Sequence, residues 1–368
     1  MTLDLTINRD DYARSNNFMA RAKILGVGTS TSGTRYSQED ILDIYQIEDP
    51  RIKMVFRGGK IENRYLTLPQ HAAEEIPSVE TQGQLLKKHS DCAQEIGARA
   101  LLACLDGANA SIGDIDYLCC VTTTGLLTPG LSALLCKKLN LSVECARLDV
   151  VGMGCNAGLN GLNATASWAQ ANPGKMAVML CVEICSAAYV FDGTMQTAVV
   201  NSLFGDGASA VAVVAGEPTH RLQPTILKFS SRVVTDALDA MKFTWDEGHG
   251  KFSFFLAQDV PYVVGAHVEG VIDSLLVGTN LRRDDIAHWI VHSGGKKVID
   301  AIQINLGLPA HEMRHTSAVL RDFGNMSSGS FLFSYQRLLA ENVIETGDYG
   351  VMMTMGPGTT IETALLRW

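Results

Sequence analysis

Three residues have the types and settings that acyl transfer needs. Cys155 lies in VVGMGCNAGLNGLNA, where an apolar strand gives way to glycines and then to a helix. A helix start presents unpaired amides and the positive end of a dipole, and both favour a thiolate. A thiolate accepts an acyl group from a thioester at little cost, because one thioester replaces another. Asn325 stands in FGNMSSGSFLF, before a glycine- and serine-rich helix start. Its amide can donate to a developing oxyanion or cap the helix. His292 ends the apolar run HWIVH and faces the turn SGGKK. A histidine there can pair with the thiolate and later donate to a thioester oxygen; the plainer alternative is a core histidine.

Other candidates carry less chemistry. His288 shares the strand face of His292 but lies about 13 Å away, too far to share a metal, and is expected at a rim. His311 to His315 spell HEMRH, which matches a zinc-hydrolase pattern. That pattern needs one helix face, a third ligand and an open site. Here it sits in a polar stretch with no third ligand evident, so a solvated segment is expected, as for His249. No metal or other cofactor is expected. The loop Gly356, Pro357, Gly358 in TMGPGTTIETALL joins two strands and offers few side chains, so a ligand can approach closely.

These residues need elements to hold them. AKILGVG (22–28) reads as a strand, Tyr36 to Tyr45 as a helix capped by Ser37, and Thr81 to Leu105 as a long helix. Ile115 to Gly125 is an apolar strand ending in a polar turn. Strand 145–154, helix 155–170, strand 175–183 and a strand within 204–213 follow. The second half repeats this order. DIAHWIVH at Asp285 matches DIDYLCCV at Asp114, GNM at Gly324 matches GCN at Gly154, and GDYGVMM at Gly347 matches GKMAVML at Gly174. The offsets are 171, 170 and 173 residues, close to half the chain. A duplicated layered α/β unit follows, with halves 1–217 and 218–368 meeting near GEPTHR and fused without a flexible linker.

Composition excludes several classes. The chain has 368 residues, 46% hydrophobic and 19% charged, with net charge −9 and no basic run beyond two residues. A nucleic-acid surface is therefore not expected. No apolar run reaches membrane length, and the polar start MTLDLTINRDDYARSNN is no signal peptide, so a cytoplasmic protein is expected. The nine cysteines show no regular spacing, and Cys119, Cys120, Cys181 and Cys185, in or beside apolar strand-like runs, read as buried free thiols.

The motifs together resemble the type III polyketide synthases, the group that includes chalcone and stilbene synthases. Cys155 among glycines, LFGDG (203–207), DVP (259–261), WIVHSGG, GNMSS (324–328) and GPG appear in the family's order from about Ala22 to Leu366. The resemblance implies a thiolase-like, duplicated αβαβα fold. It makes Cys155 the acyl-carrying nucleophile, with His292 and Asn325 assisting malonyl decarboxylation and holding the enolate and oxyanion. Phe204 and Phe254 would be gatekeepers between a CoA tunnel and the cavity. Arg57, Lys60 and Arg64 fall where the family carries cations for CoA phosphates, and the GPG loop counts with the substrate-binding residues.

The implied chemistry is iterative decarboxylative condensation of malonyl-CoA on a Cys-bound chain, followed by cyclisation. The runs DPRIKMVFRGGKIENRYLTLP, LCCVTTTGLLTPG and VVGMGCNAGLNGLNA are similar to the bacterial branch that makes 3,5-dihydroxyphenylacetyl-CoA from four malonyl-CoA. That branch implies dehydratase partner enzymes. The family implies a homodimer, with VVGMG a candidate contact. Departures are Ser293 where the family often has Pro, Thr354 and Met355 where it has GF, and 186–200, which is unlike the plant enzymes. Resorcinol- or pyrone-forming synthases, and a ketoacyl synthase, are the alternatives. A ketoacyl synthase would need a carrier-protein surface, and the GPG and DVP segments argue against it. A thiolase would need a second catalytic cysteine, and none follows Cys185. HMG-CoA synthase would want a glutamate acid; Glu183 is a candidate whose strand setting suggests a structural role. A scaffold without activity does not explain the complete Cys155, His292, Asn325 set.

Overall fold

The computed structural model describes residues 20–31, 33–71, 75–188, 194–216 and 223–368. The first half begins with β1 (Ala22–Thr31) and the pair β2 (Thr34–Ser37) and β3 (Asn63–Leu66), which flank α1 (Gln38–Ile44) and α2 (Pro50–Gly58). Then come α3 (Gln82–Gly107), β4 (Ile115–Thr122), α4 (Leu131–Leu139), β5 (Ala146–Val151), α5 (Ala157–Ala171) and β6 (Met176–Glu183). Helix α6 (Met195–Leu203) and β7 (Gly207–Ala215) complete it. The second half runs β8 (Thr225–Val233), the hairpin β9 (Met241–Asp246) and β10 (Lys251–Leu256), α7 (Val260–Leu276) and β11 (Ile286–Val291). It closes with α8 (Lys296–Leu306), α9 (Arg314–Phe323), α10 (Ser330–Glu341), β12 (Tyr349–Gly356) and β13 (Thr360–Arg367).

Local chemistry sets many of these boundaries. Ser37 caps α1 in a capping box with Asp40, and Thr81 caps α3 in one with Gln84. Asp49 caps α2, with Pro50 in the first turn where a missing N–H costs nothing. Strand β4 alternates its side chains. Tyr117, Cys119 and Val121 enter one core cluster, and Leu118 and Cys120 enter another.

Pairing reveals the duplication directly. In the first half β1 pairs antiparallel with β7, β7 antiparallel with β6, and β6 parallel with β4. In the second half β8 pairs antiparallel with β13, β13 antiparallel with β12, and β12 parallel with β11. The order β11-β12-β13-β8 thus repeats β4-β6-β7-β1, with β5 added at the first half's outer edge. Lys23 opposite Thr225 joins the halves into one nine-stranded sheet.

Helices α5 and α10 lie between the two halves. Their Leu162, Ala166, Phe331 and Tyr335 share one core with Val211 and Met179 of the first half and Met352 and Ala364 of the second. Helices α3 and α4 cover the first half's other face, and α7 and α8 that of the second, giving the expected five αβαβα layers. The expected boundary between residues 217 and 218 falls outside the described residues, as does most of the lead-in and part of 186–200. Among the described residues no helix is long and apolar enough to cross a membrane. The nine cysteines are free.

Candidate active site

Cys155 sits in a short 3-10 turn, Gly154–Asn156, between β5 and α5. Gly152 (φ 81°) and Gly154 (φ 77°) take left-handed conformations that turn the strand sharply into the helix. A Cβ on Gly154 would lie 2.1 Å from Pro357, so the GPG loop packs against the nucleophile turn. Pro357 lines the Cys155 cavity. Gly356 abuts Cys155 N and Asn156, and Gly358 lies nearer Leu238.

Ser327 links the three candidates. The Cys155 thiol donates to Ser327 Oγ at 3.4 Å. Ser327 N donates to Asn325 Oδ1 at 2.8 Å. That bond orients the amide, leaving Nδ2 with a long 3.4 Å contact to Gly294 O and capacity for a second acceptor. Ser330 Oγ donates to Ser327 O at 3.3 Å and accepts from Ser293 N at 3.3 Å. The same oxygen pairs closely with His292 Nδ1. With the hydroxyl proton on Ser327 O, Ser330 accepts from Nδ1–H, and in that tautomer the Nε2 lone pair of a neutral His292 is open as a base. A proline at position 293 would lack the N–H that Ser293 gives. Sequence reasoning passed over Ser327 and Ser330 although GNMSS and the following serines marked them.

The enclosure decides the resting charges. Burial pushes the Cys155 thiol up to about 12; the Ser327 hydrogen bond opposes this and Glu183 adds to it. Burial pushes His292 down to about 3. Both shifts favour the uncharged forms in the free enzyme, and burial is the largest cause of each. Glu183 is fully buried and accepts from Thr123, Thr124 and Ser328, fixing the polar end of β4; Thr123 Oγ1 in turn lies 3.3 Å from Ser327 Oγ.

The cavity at Cys155 is small, about 40 Å³, and its lining includes Thr123, Cys185, Phe204, Phe243, Phe254 and Ser327. Phe204 and Phe254 meet edge to face at 5.7 Å, and Phe243, absent from the sequence-based set, leans on Phe254 at 5.1 Å. His292 and Asn325 are buried and connect to Cys155 through the serine network. A parallel bridge fixes Asn325 beside Phe204.

The basic set does not assemble. Arg64 is 0% exposed and donates to the carbonyls of Asn201 and Phe204 at the end of α6 and to Gln38. Its place at a solvent mouth is corrected: it caps a helix end and holds the Phe204 carbonyl. Arg57 is exposed and paired with Glu39 at 2.8 Å; Lys60 is exposed just beyond α2. His288 is corrected too. It is buried, bonded to Asp348 at 2.8 Å and set edge to face on Trp368. In HEMRH a 3-10 turn precedes α9, and His315 pairs with Glu341. Among the described residues no cluster of three metal-ligating side chains occurs.

A duplicated αβαβα body, with a cysteine at one central helix start and an asparagine before the other, defines a thiolase-type condensing enzyme. The family models for the N- and C-terminal domains of chalcone and stilbene synthases match residues 10–218 and 241–368. The chain therefore belongs to the chalcone and stilbene synthase family, the type III polyketide synthases, and acts on acyl-CoA thioesters. It is similar to a 3,5-dihydroxyphenylacetyl-CoA synthase of Streptomyces toyocaensis, 57% identical over 95% of this chain and 90% of the relative. One from Amycolatopsis balhimycina is 58% identical over 94% and 93%. The crystal structure of PKS-I from the brown alga Ectocarpus siliculosus superposes with TM-score 0.87 at 25% identity, covering 95% and 98%.

Proposed function

We propose that the enzyme condenses four malonyl-CoA into 3,5-dihydroxyphenylacetyl-CoA by decarboxylation and cyclisation. Relatives of that activity at 57% and 58% identity support the product. The Ser327-centred link between Cys155, Asn325 and the His292 partner Ser330 carries the residue roles.

In this reading His292 Nε2 takes the Cys155 proton and keeps it while the thiolate attacks the starter thioester; the CoA thiolate leaves and takes a proton from solvent. The acyl group on Cys155 then faces malonyl-CoA. The bond to its carboxylate breaks, CO₂ departs, and the electron pair forms an enolate whose oxygen Asn325 Nδ2 and the His292 imidazole hold. The enolate carbon attacks the Cys155 thioester, a C–C bond forms and the thiolate returns. One CO₂ lost from the starter and three from the extensions leave eight carbons; after each extension the chain passes from CoA back to Cys155, and ring closure releases one water. A dry pocket protects the enolate from protonation, and the three phenylalanines supply it. The 40 Å³ space holds about one water, so they must part to admit the chain. Exposed Arg57 and Lys60 are the remaining candidates for CoA phosphates. Dehydratase partners belong to this reading. So does a homodimer through the outermost strand β5, which exposes Leu148 and Val151 next to the nucleophile turn.

The test is incubation with malonyl-CoA alone, with products identified by mass spectrometry beside Cys155→Ala. An eight-carbon aromatic acid or its CoA ester, absent from the variant, is expected. Extended products only with acetyl- or long-chain acyl-CoA would sink the proposed product and favour a pyrone or resorcinol synthase. Full activity in Cys155→Ala would sink the mechanism.

A further inference from the structure

A second cavity of about 400 Å³ lies apart from Cys155. The two cavities share walls. On α6 and its cap, Thr194, Thr197, Ala198 and Asn201 line the larger cavity, whereas Val200 and the following Phe204 line the catalytic one. On β10, Lys251 lines the larger and Phe254 the smaller; an odd spacing puts them on opposite strand faces.

Lys251 is the unusual feature. It is 2% exposed, and its Nζ donates to the carbonyl oxygen of Glu80 at 3.3 Å. An ammonium carries three donors. The carboxylates lining this cavity have other cations: Glu80 pairs with Lys88 at 2.5 Å, Asp49 with Arg51 at 2.7 Å and Glu48 with Lys53 at 3.1 Å. Burial lowers the Lys251 pKa, with Glu80 and Asp246 opposing, as befits a cation short of counter-charge. A buried cation is costly unless paired. The remaining walls are mainly apolar, with Ile52, Phe56, Leu68 and Ile76, while Ser78 and Ser186 add hydroxyls. The volume suits a small organic ligand.

We propose that this cavity binds a small aromatic carboxylic acid, its carboxylate on Lys251 and its ring against the apolar wall. The free acid of the proposed product belongs to this class, so the ligand's physiological identity rests on the function proposed above, whereas the site does not. Its position behind the walls that carry Phe204 and Phe254 lets occupancy bear on the gate.

The experiment titrates phenylacetate, 3,5-dihydroxyphenylacetate and the neutral 2-phenylethanol into the Cys155→Ala protein by calorimetry. Both acids are expected to bind, with 2-phenylethanol at least tenfold weaker. In the same background Lys251→Met is expected to weaken both acids at least tenfold. Ala198→Trp, which fills the cavity from α6, is expected to abolish binding and covers the case in which Lys251→Met fails to fold. No binding of either acid, equal binding of the alcohol, or binding that survives Lys251→Met or Ala198→Trp overturns the proposal. This protein turns nothing over, so the outcome is independent of the malonyl-CoA assay.

Discussion

Ser327 occupies a costly backbone conformation, φ 49°, at the point where the thiol, the asparagine amide and the histidine partner converge. Strain of this kind persists where surrounding bonds over-determine it. Around it burial pushes the thiol up to about 12 and the imidazole down to about 3, which favours an uncharged resting pair. Inactivation of the free enzyme by iodoacetamide should therefore climb with pH, about tenfold per unit between pH 6 and 9, because only the thiolate reacts. A plateau already reached below pH 6 would instead reveal a standing imidazolium–thiolate pair. The sequence located Cys155, His292 and Asn325, since each ends an apolar run at a glycine turn. It did not reveal the charge state, which depends on how completely distant segments exclude water.

At the scale of elements, the β5–α5 turn and the β12–β13 loop form one unit. Gly154 has no room for a side chain, because Pro357 occupies the space. Gly154→Ala should cost about 1–2 kcal/mol for the left-handed backbone alone, and more for the clash. Its melting temperature and its turnover should both fall, and adding Pro357→Ala should restore part of each by removing the clash but not the strain. Equal melting of Gly154→Ala and wild type would show that the loop does not pack there in solution. The strands and capped helices were readable because period-two alternation and capping boxes are local signals. Segment 52–68 was not resolved into α2 and β3, since its alternation is short and its one buried arginine, Arg64, looks like a surface charge. The end of α6, 137 residues on, and Gln38 at the start of α1 together explain that burial.

For the whole molecule, the shared core around α5 and α10 makes the two halves one cooperative body. Each half buries a neutral histidine. Burial pushes His89, which contacts Thr122 and Thr124, down to about 4, and His292 to about 3. Both lie below the unfolded value near 6.5, so the unfolded chain binds more protons as pH falls. Stability should be fully present above about pH 6.5 and drain away toward pH 4 and 3. The His89 share is about 3 kcal/mol at about 1.4 kcal/mol per unit. Buried Glu183 and Glu362 shift upward and act in the opposite sense, so the measure is a difference. Between pH 6.5 and 4, urea denaturation should show less loss for His89→Gln than for wild type, in a single transition. Parallel losses would show that His89 is charged in the fold.

The sequence by itself determined the family and the duplicated unit, and it singled out the three residues that the fold gathers around Ser327 and Ser330. Each depends on local pattern: an apolar run, a glycine turn, a repeat at near-constant offset. Tertiary structure alone decided that Arg64 lies inside, that Phe243 joins the gate, that serines wire Cys155 to His292 and Asn325, and that Lys251 faces a second cavity. The β9–β10 hairpin brings Phe243 to Phe254, whereas the other facts draw on segments far apart in the chain meeting in a close-packed interior, and no local pattern encodes the volume or charge left between them.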